Sequence, residues 1–239
     1  MDIEQFRQMA AAETLPRKRF NKLFCIGANK TGTTTLELVF NALGYRMPSQ
    51  VEQEMRISLQ LWQGNLLPLQ EFCARYDAFQ DLPFAIGQAY VQADALFPGS
   101  KFILTLREPD AWFDSLKRFH LKGVLSRAGV TDTDQVDEET LKDKNVYLYQ
   151  NYFYEFSKHF TAVVRDGEVE YDWDLLYDRE HRIKLYNQRN EAIIRYFKDR
   201  PDDLLVIDVT QEQDISRILD FLGLPPKLNF QMPHLNRSK

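Results

Sequence analysis

Apolar and polar positions along the chain read as short buried strands that hand over to amphipathic helices. Leu23-Phe24-Cys25-Ile26 is a continuous apolar run that breaks at Gly27, and Leu36, Val39, Phe40 and Leu43 then recur at helical spacing before Gly44. The same handover recurs downstream. A β-rich run from Phe102 to Leu106 ends at Arg107, Pro109 suits the first turn of a helix, and Trp112, Leu116 and Phe119 form its apolar face. A long helix is expected over Leu176 to Arg200, with Leu185, Ile193, Ile194 and Phe197 inward, leading into a strand at Leu204 to Asp208. A last helix, Asp214 to Leu222, stops at Gly223. Ala78-Phe79-Gln80-Asp81 is strand-like and is halted by Pro83, and Gly44 to Met47 reads as another short strand. Helices are expected over Asp2 to Ala12, Val51 to Trp62 and Leu66 to Tyr76. Tyr147, Tyr149, Tyr152, Phe153, Tyr154, Phe156 and Phe160 crowd one further helix as a core stripe.

The first handover carries the strongest chemistry. In Gly27-Ala28-Asn29-Lys30-Thr31-Gly32-Thr33-Thr34, the two glycines free the backbone so that successive N–H groups and the positive end of the helix dipole converge on one anion. A phosphate is the expected guest, although such a turn also serves as a plain tight connection. The loop is nearly a Walker A sequence, but Thr33 stands where a nucleotide triphosphatase has its Lys, and Lys30 lies earlier. Asp81 ends its strand where open α/β sheets bind ligands, and could equally accept turn N–H bonds. At the second handover Ser115 sits on a stripe facing back toward the turn with Arg107, and a guanidinium beside a hydroxyl suits a dianionic phosphate. The element order predicts an α/β three-layer sandwich with a central, mainly parallel sheet of the P-loop NTPase-like kind, in one domain over residues 1–239.

Lys30-Thr31-Gly32-Thr33-Thr34 resembles the 5′-phosphosulfate loop of sulfotransferases that use 3′-phosphoadenosine 5′-phosphosulfate (PAPS). Two further segments resemble the same family. Asp81-Leu82-Pro83 stands where cytosolic members carry His-Leu-Pro with the His as catalytic base, and Arg107 with Ser115 matches the spacing of the family's 3′-phosphate site. The resemblance implies PAPS as sulfuryl donor, bound by Ala28, Asn29, Lys30, Thr31, Gly32, Thr33, Thr34, Arg107 and Ser115. It implies Lys30 and Asp81 as catalytic residues, Asp81 as base through a carboxyl raised by partial burial. No metal is expected, because Lys30 takes the neutralising part that Mg²⁺ plays in phosphoryl transfer. The expected acceptor is a small molecule or carbohydrate with a hydroxyl, and carbohydrate, lipid, phenol and small alcohol all stay open. Two rivals stay open: an ATP-dependent small-molecule kinase of the P-loop fold, and a catalytically silent nucleotide-binding relative.

Composition narrows the setting. A formal charge of −5 over 239 residues argues against a general nucleic-acid or anionic-membrane binder, while allowing a local basic pocket. Cys25 and Cys73 are the only cysteines, which leaves no disulfide framework and no zinc spacing. His120, His159, His181 and His234 are scattered, with His120 the alternative base to Asp81. No apolar run reaches membrane-spanning length and the N-terminus lacks a signal-peptide pattern, so a cytoplasmic location is expected. The basic tail from Pro233 to Lys239 is a candidate cover for the nucleotide.

Overall fold

The computed structural model describes residues 1–10, 18–144 and 147–233. The strands among them are β1 (Leu23–Cys25), β2 (Ala78–Phe79), β3 (Lys101–Thr105), β4 (Ala162–Arg165), β5 (Glu168–Tyr171) and β6 (Leu204–Ile207). The chain divides into two compact units, one of Met1–Arg107 with Ala192–Lys239 and one of Glu108–Glu191.

In the first unit a four-stranded parallel sheet runs in the order β2-β1-β3-β6, with Leu23 opposite Ala78 and Lys101, and Ile103 opposite Leu205. Because successive side chains in a strand point to opposite faces, each strand feeds two cores. Leu23, Cys25, Ala78, Ile103 and Ile207 pack with Leu36, Val39 and Phe40 of the helix Thr33–Ala42 and with Ile218, Leu219 and Leu222 of the helix Ser216–Leu222. On the other face, Phe24, Phe79, Phe102 and Leu104 meet Leu69, Phe72, Tyr90, Ile193 and Phe197. Phe24 is the hub of that layer, with ring centroids of Phe79, Phe84, Phe97 and Phe102 between 4.9 and 5.9 Å away. The unit is thus helix, sheet, helix, the three-layer α/β arrangement expected.

Several local expectations are refined. Gly44 to Met47 forms no strand: the Arg46 carbonyl accepts the N–H groups of both Asp77 (2.8 Å) and Ala78 (3.3 Å), so the contact does not repeat into a ladder. The helix expected over Val51 to Trp62 is present but opens into a wider π turn at Glu54–Ser58. The long helix is Arg179–Tyr196, and Ile194, expected inward, is 45% exposed. Its buried positions include Arg182, Tyr186 and Asn190 ahead of Ile193, a polar stripe where an apolar one was expected. Residues 11–12 of the first expected helix and the tail from His234 lie outside the described residues.

The second unit joins the helix Pro109–Gly123, the helix Tyr152–Thr161 and the antiparallel β4-β5 hairpin to the first part of the helix Arg179–Tyr196. Tyr152, Phe153, Tyr154 and Phe156 are buried, in keeping with the core reading of the aromatic run, and Trp112 stacks on Tyr186 at 4.2 Å. No helix among the described residues is long and apolar enough to cross a membrane.

Candidate active site

The loop after β1 is shaped by close approach. A Cβ on Gly27 would meet the Thr105 carbonyl oxygen at 2.6 Å and its nitrogen at 2.8 Å, so only glycine lets the loop leave β1 flush against the end of β3. Thr105, a polar residue closing the apolar run Phe102-Ile103-Leu104, then pins the loop. Its hydroxyl shares a hydrogen bond of 2.5 Å with the Thr31 hydroxyl, which itself donates to the Ala28 carbonyl at 2.6 Å. Lys30 (φ 72°) and Gly32 (φ 99°) both take left-handed backbone conformations, the kind of reversal that turns N–H groups inward. Gly32 caps the helix Thr33–Ala42 with no side-chain bond, and the first turn holds no acidic residue. The first-turn N–H groups and the dipole at that terminus are therefore not taken up by a capping side chain of the helix's own segment.

Asp81 and Arg107 reach this same loop. The Asp81 side chain, 7% exposed, accepts hydrogen bonds from the Asn29 amide, the Thr33 hydroxyl (3.4 Å) and the Leu82 N–H (2.8 Å). Burial pushes its carboxyl up to about 6, although the Leu82 N–H, the Thr33 hydroxyl, Lys30 and Asn29 all favour the charged form. Asp81 also has a left-handed backbone (φ 63°), tolerable for Asp, which turns its side chain back toward β1. Arg107 Nη1 donates to the Lys30 carbonyl at 3.3 Å. Thr34 is exposed at the start of the helix, while Ala28, Asn29 and Lys30 are half-buried. Ser115 is half-buried on the helix Pro109–Gly123 of the second unit.

Sequence reasoning missed two supports. Gln53 is 1% exposed and its amide donates to the carbonyls of Gln80 and Leu82, both at 2.6 Å, bracketing Asp81. Nothing in the spacing announces a contact across 27 residues, although the π turn that follows Gln53 is the sort of helix irregularity found at functional sites. Thr105 could have been found, as the hydroxyl that closes the apolar run Phe102-Ile103-Leu104.

His120, the alternative base, is buried in the second unit, where its Nδ1 shares a hydrogen bond of 3.0 Å with the Tyr177 hydroxyl. Asp208, the apparent Walker B acid, accepts from the Thr210 N–H and hydroxyl at 2.9 and 2.7 Å and serves as a turn residue. Both cysteines are buried thiols, Cys25 Sγ lies 3.9 Å from the Thr105 hydroxyl, and burial holds the Cys73 thiol well above its usual range.

A parallel sheet with a glycine loop opening a helix, and with an Asp and an Arg from neighbouring strand ends turned onto that loop, defines an α/β protein of the P-loop-like class. The sequence profile described as the sulfotransferase domain matches residues 22–239, and the chain belongs to that sulfotransferase family, a family of transferases. No curated protein was found to match the chain.

Proposed function

We propose that the protein transfers a sulfuryl group from PAPS to the hydroxyl of a small-molecule or carbohydrate acceptor. The observation that carries this reading is the meeting of Asn29, Lys30, Thr33, Asp81 and Arg107 at the ends of β1, β2 and β3. The loop fits a phosphosulfate group. Its glycine positions exclude side chains from the cradle, its helix terminus is uncapped, and Lys30 and Arg107 bring two cations to it. Bound there, PAPS supplies the activated sulfuryl group. Ala28 through Thr34 hold its 5′ end, and the sequence pattern assigns its 3′-phosphate to Arg107 and Ser115.

Asp81 takes the proton of the acceptor hydroxyl. A carboxyl near 6 is mostly ionised at neutral pH, yet basic enough to accept a proton in the transition state. Lys30 places its charge where the departing bisphosphate becomes more negative, with the Thr33 and Thr34 hydroxyls and the loop N–H groups beside it. Such a site works through position and preorganised electrostatics. The hydrogen bonds from Asn29 and Thr33 to Asp81 favour a second reading, a bisphosphate-binding relative in which Asp81 only braces the loop.

Calorimetric titration with 3′,5′-adenosine bisphosphate, beside ATP with Mg²⁺, tests the donor. The expected result is preference for the bisphosphate, weakened about ten- to a hundredfold in Arg107→Ala, the worth of charge-assisted hydrogen bonds. Tighter binding of ATP, or an unchanged Arg107→Ala, overturns PAPS as donor. Sulfuryl transfer by the wild type against Asp81→Asn separates the two readings.

A further inference from the structure

The second unit holds a charge that its own fold does not neutralise. Arg182 is 2% exposed, yet its Nε and Nη1 have no hydrogen-bond partner among the described residues. Its guanidinium lies 3.6 Å from the centroid of the Phe160 ring, a cation–π contact that offsets only part of the loss of water. Burial lowers its proton affinity, to about 10, but leaves it a cation at neutral pH.

Position adds to the cost. Arg182 stands in the first turn of the helix Arg179–Tyr196, where the helix dipole already favours negative charge. The two acids nearest in sequence, Glu180 and Asp178, are both exposed, and Asp178 caps that helix, its carboxylate accepting the His181 N–H at 2.7 Å. The phenol of Tyr177 interacts electrostatically with the guanidinium, and it is held neutral by burial and fixed by its 3.0 Å hydrogen bond with His120 Nδ1. His181 is engaged elsewhere, its Nε2 2.8 Å from the Phe160 carbonyl. Farther along the same buried stripe, Asn190 Oδ1 also has no partner. A protein interior does not ordinarily keep a buried, unpaired cation without a use for it.

We infer that the second unit contains an anion site in which Arg182, backed by the Phe160 ring and flanked by the Tyr177 hydroxyl, binds the sulfate or carboxylate group of a ligand. The guanidinium supplies the charge and directional N–H donors, Tyr177 supplies a neutral donor, and His120 positions Tyr177. All of its residues belong to the second unit, and the inference stands whether or not the donor is PAPS.

The test uses inorganic sulfate and acetate as probes on the full chain with the loop first saturated by 3′,5′-adenosine bisphosphate, so that the loop contributes equally to every arm. Thermal melting and calorimetry are run on wild type, Arg182→Met and Tyr177→Phe. Without added anion, Arg182→Met is expected to melt at the same temperature as wild type or higher, because an unpaired buried charge has been replaced by an apolar side chain of similar length. With one of the probes the wild type is expected to gain stability, with affinity reduced about ten- to a hundredfold in Arg182→Met and several-fold in Tyr177→Phe. If Arg182→Met melts lower than wild type in anion-free buffer, Arg182 has a structural task and the inference fails. It fails equally if neither probe distinguishes wild type from the two variants. Should the bisphosphate not bind at all, the same melts run without it still report on Arg182, and only the donor reading is lost.

Discussion

The carboxylate of Asp81 is held by three donors and is still raised, because burial outweighs the bonds it accepts. An acid whose folded value lies above its unfolded one destabilises the fold where it must ionise. The cost is absent below the unfolded value of 3.8, grows as pH rises toward about 6, and is complete above that. A rise of this size corresponds to about 3 kcal/mol. Asp81→Asn keeps an oxygen for the Asn29 and Leu82 donors and offers an N–H to the Thr33 hydroxyl, so it removes the charge with little change in shape. The variant is expected to be more stable than wild type at pH 7.5, by up to about 3 kcal/mol, with the gain vanishing as pH falls through 6 toward 4. Urea unfolding across that range measures it. Sulfuryl transfer by the same variant should fall by about 10²–10⁴-fold, and wild-type kcat/KM for the donor should drop as pH goes below about 6. A variant that is both less stable and fully active would remove Asp81 from the chemistry.

The strand, loop and helix from β1 through Thr33–Ala42 form the element on which the site depends, and its tightest point is Gly27. In Gly27→Ala the new methyl meets backbone atoms of Thr105, which cannot swing aside like the end of a side chain. β1 and β3 must part locally at the position that also anchors Thr31. A loss of about 1–3 kcal/mol is expected by denaturant unfolding, with bisphosphate affinity falling alongside because the loop is displaced. Unchanged stability and affinity would mean that the flush contact with Thr105 is not needed. This element was legible in the sequence because its signals are local: an apolar run, a glycine break, then a helical repeat. The same holds for β3 with the turn at Arg107, and for Asp81 at the end of β2. What could not be read depends on distant partners. Gln53 bracketing Asp81 needs the π turn and the sheet order together, and Arg182 sits inward through tertiary packing that overrides helical periodicity. Gly44 to Met47 misled because its apolar and polar alternation suited a strand, whereas a single carbonyl receives both donors from the neighbouring chain.

For the molecule as a whole, the proposed binding of a polyanion by a chain of formal charge −5 requires cations placed locally, and one buried carboxyl stands against the same glycine loop. At an effective dielectric near 20 a neighbouring unit charge is worth about 4 kcal/mol at 4 Å and proportionally less farther out. An anion seated in the loop therefore raises Asp81 further, and binding draws a proton from solution. By reciprocity the bisphosphate should bind more tightly as pH falls from 8 toward 6, by at most about tenfold for each unit. The ligand's own phosphates also titrate, so the informative quantity is the difference between wild type and Asp81→Asn, in which this uptake is abolished. Calorimetry in buffers of different ionisation enthalpy counts the protons directly. A wild type that takes up no more protons than Asp81→Asn would show that the carboxyl does not sense the bound anion. Uptake confined to the wild type would tie the occupied loop to Asp81. Asp81 then acts as base only from the fraction that stays ionised with donor bound, which moves the acidic limb of turnover above that of the free protein.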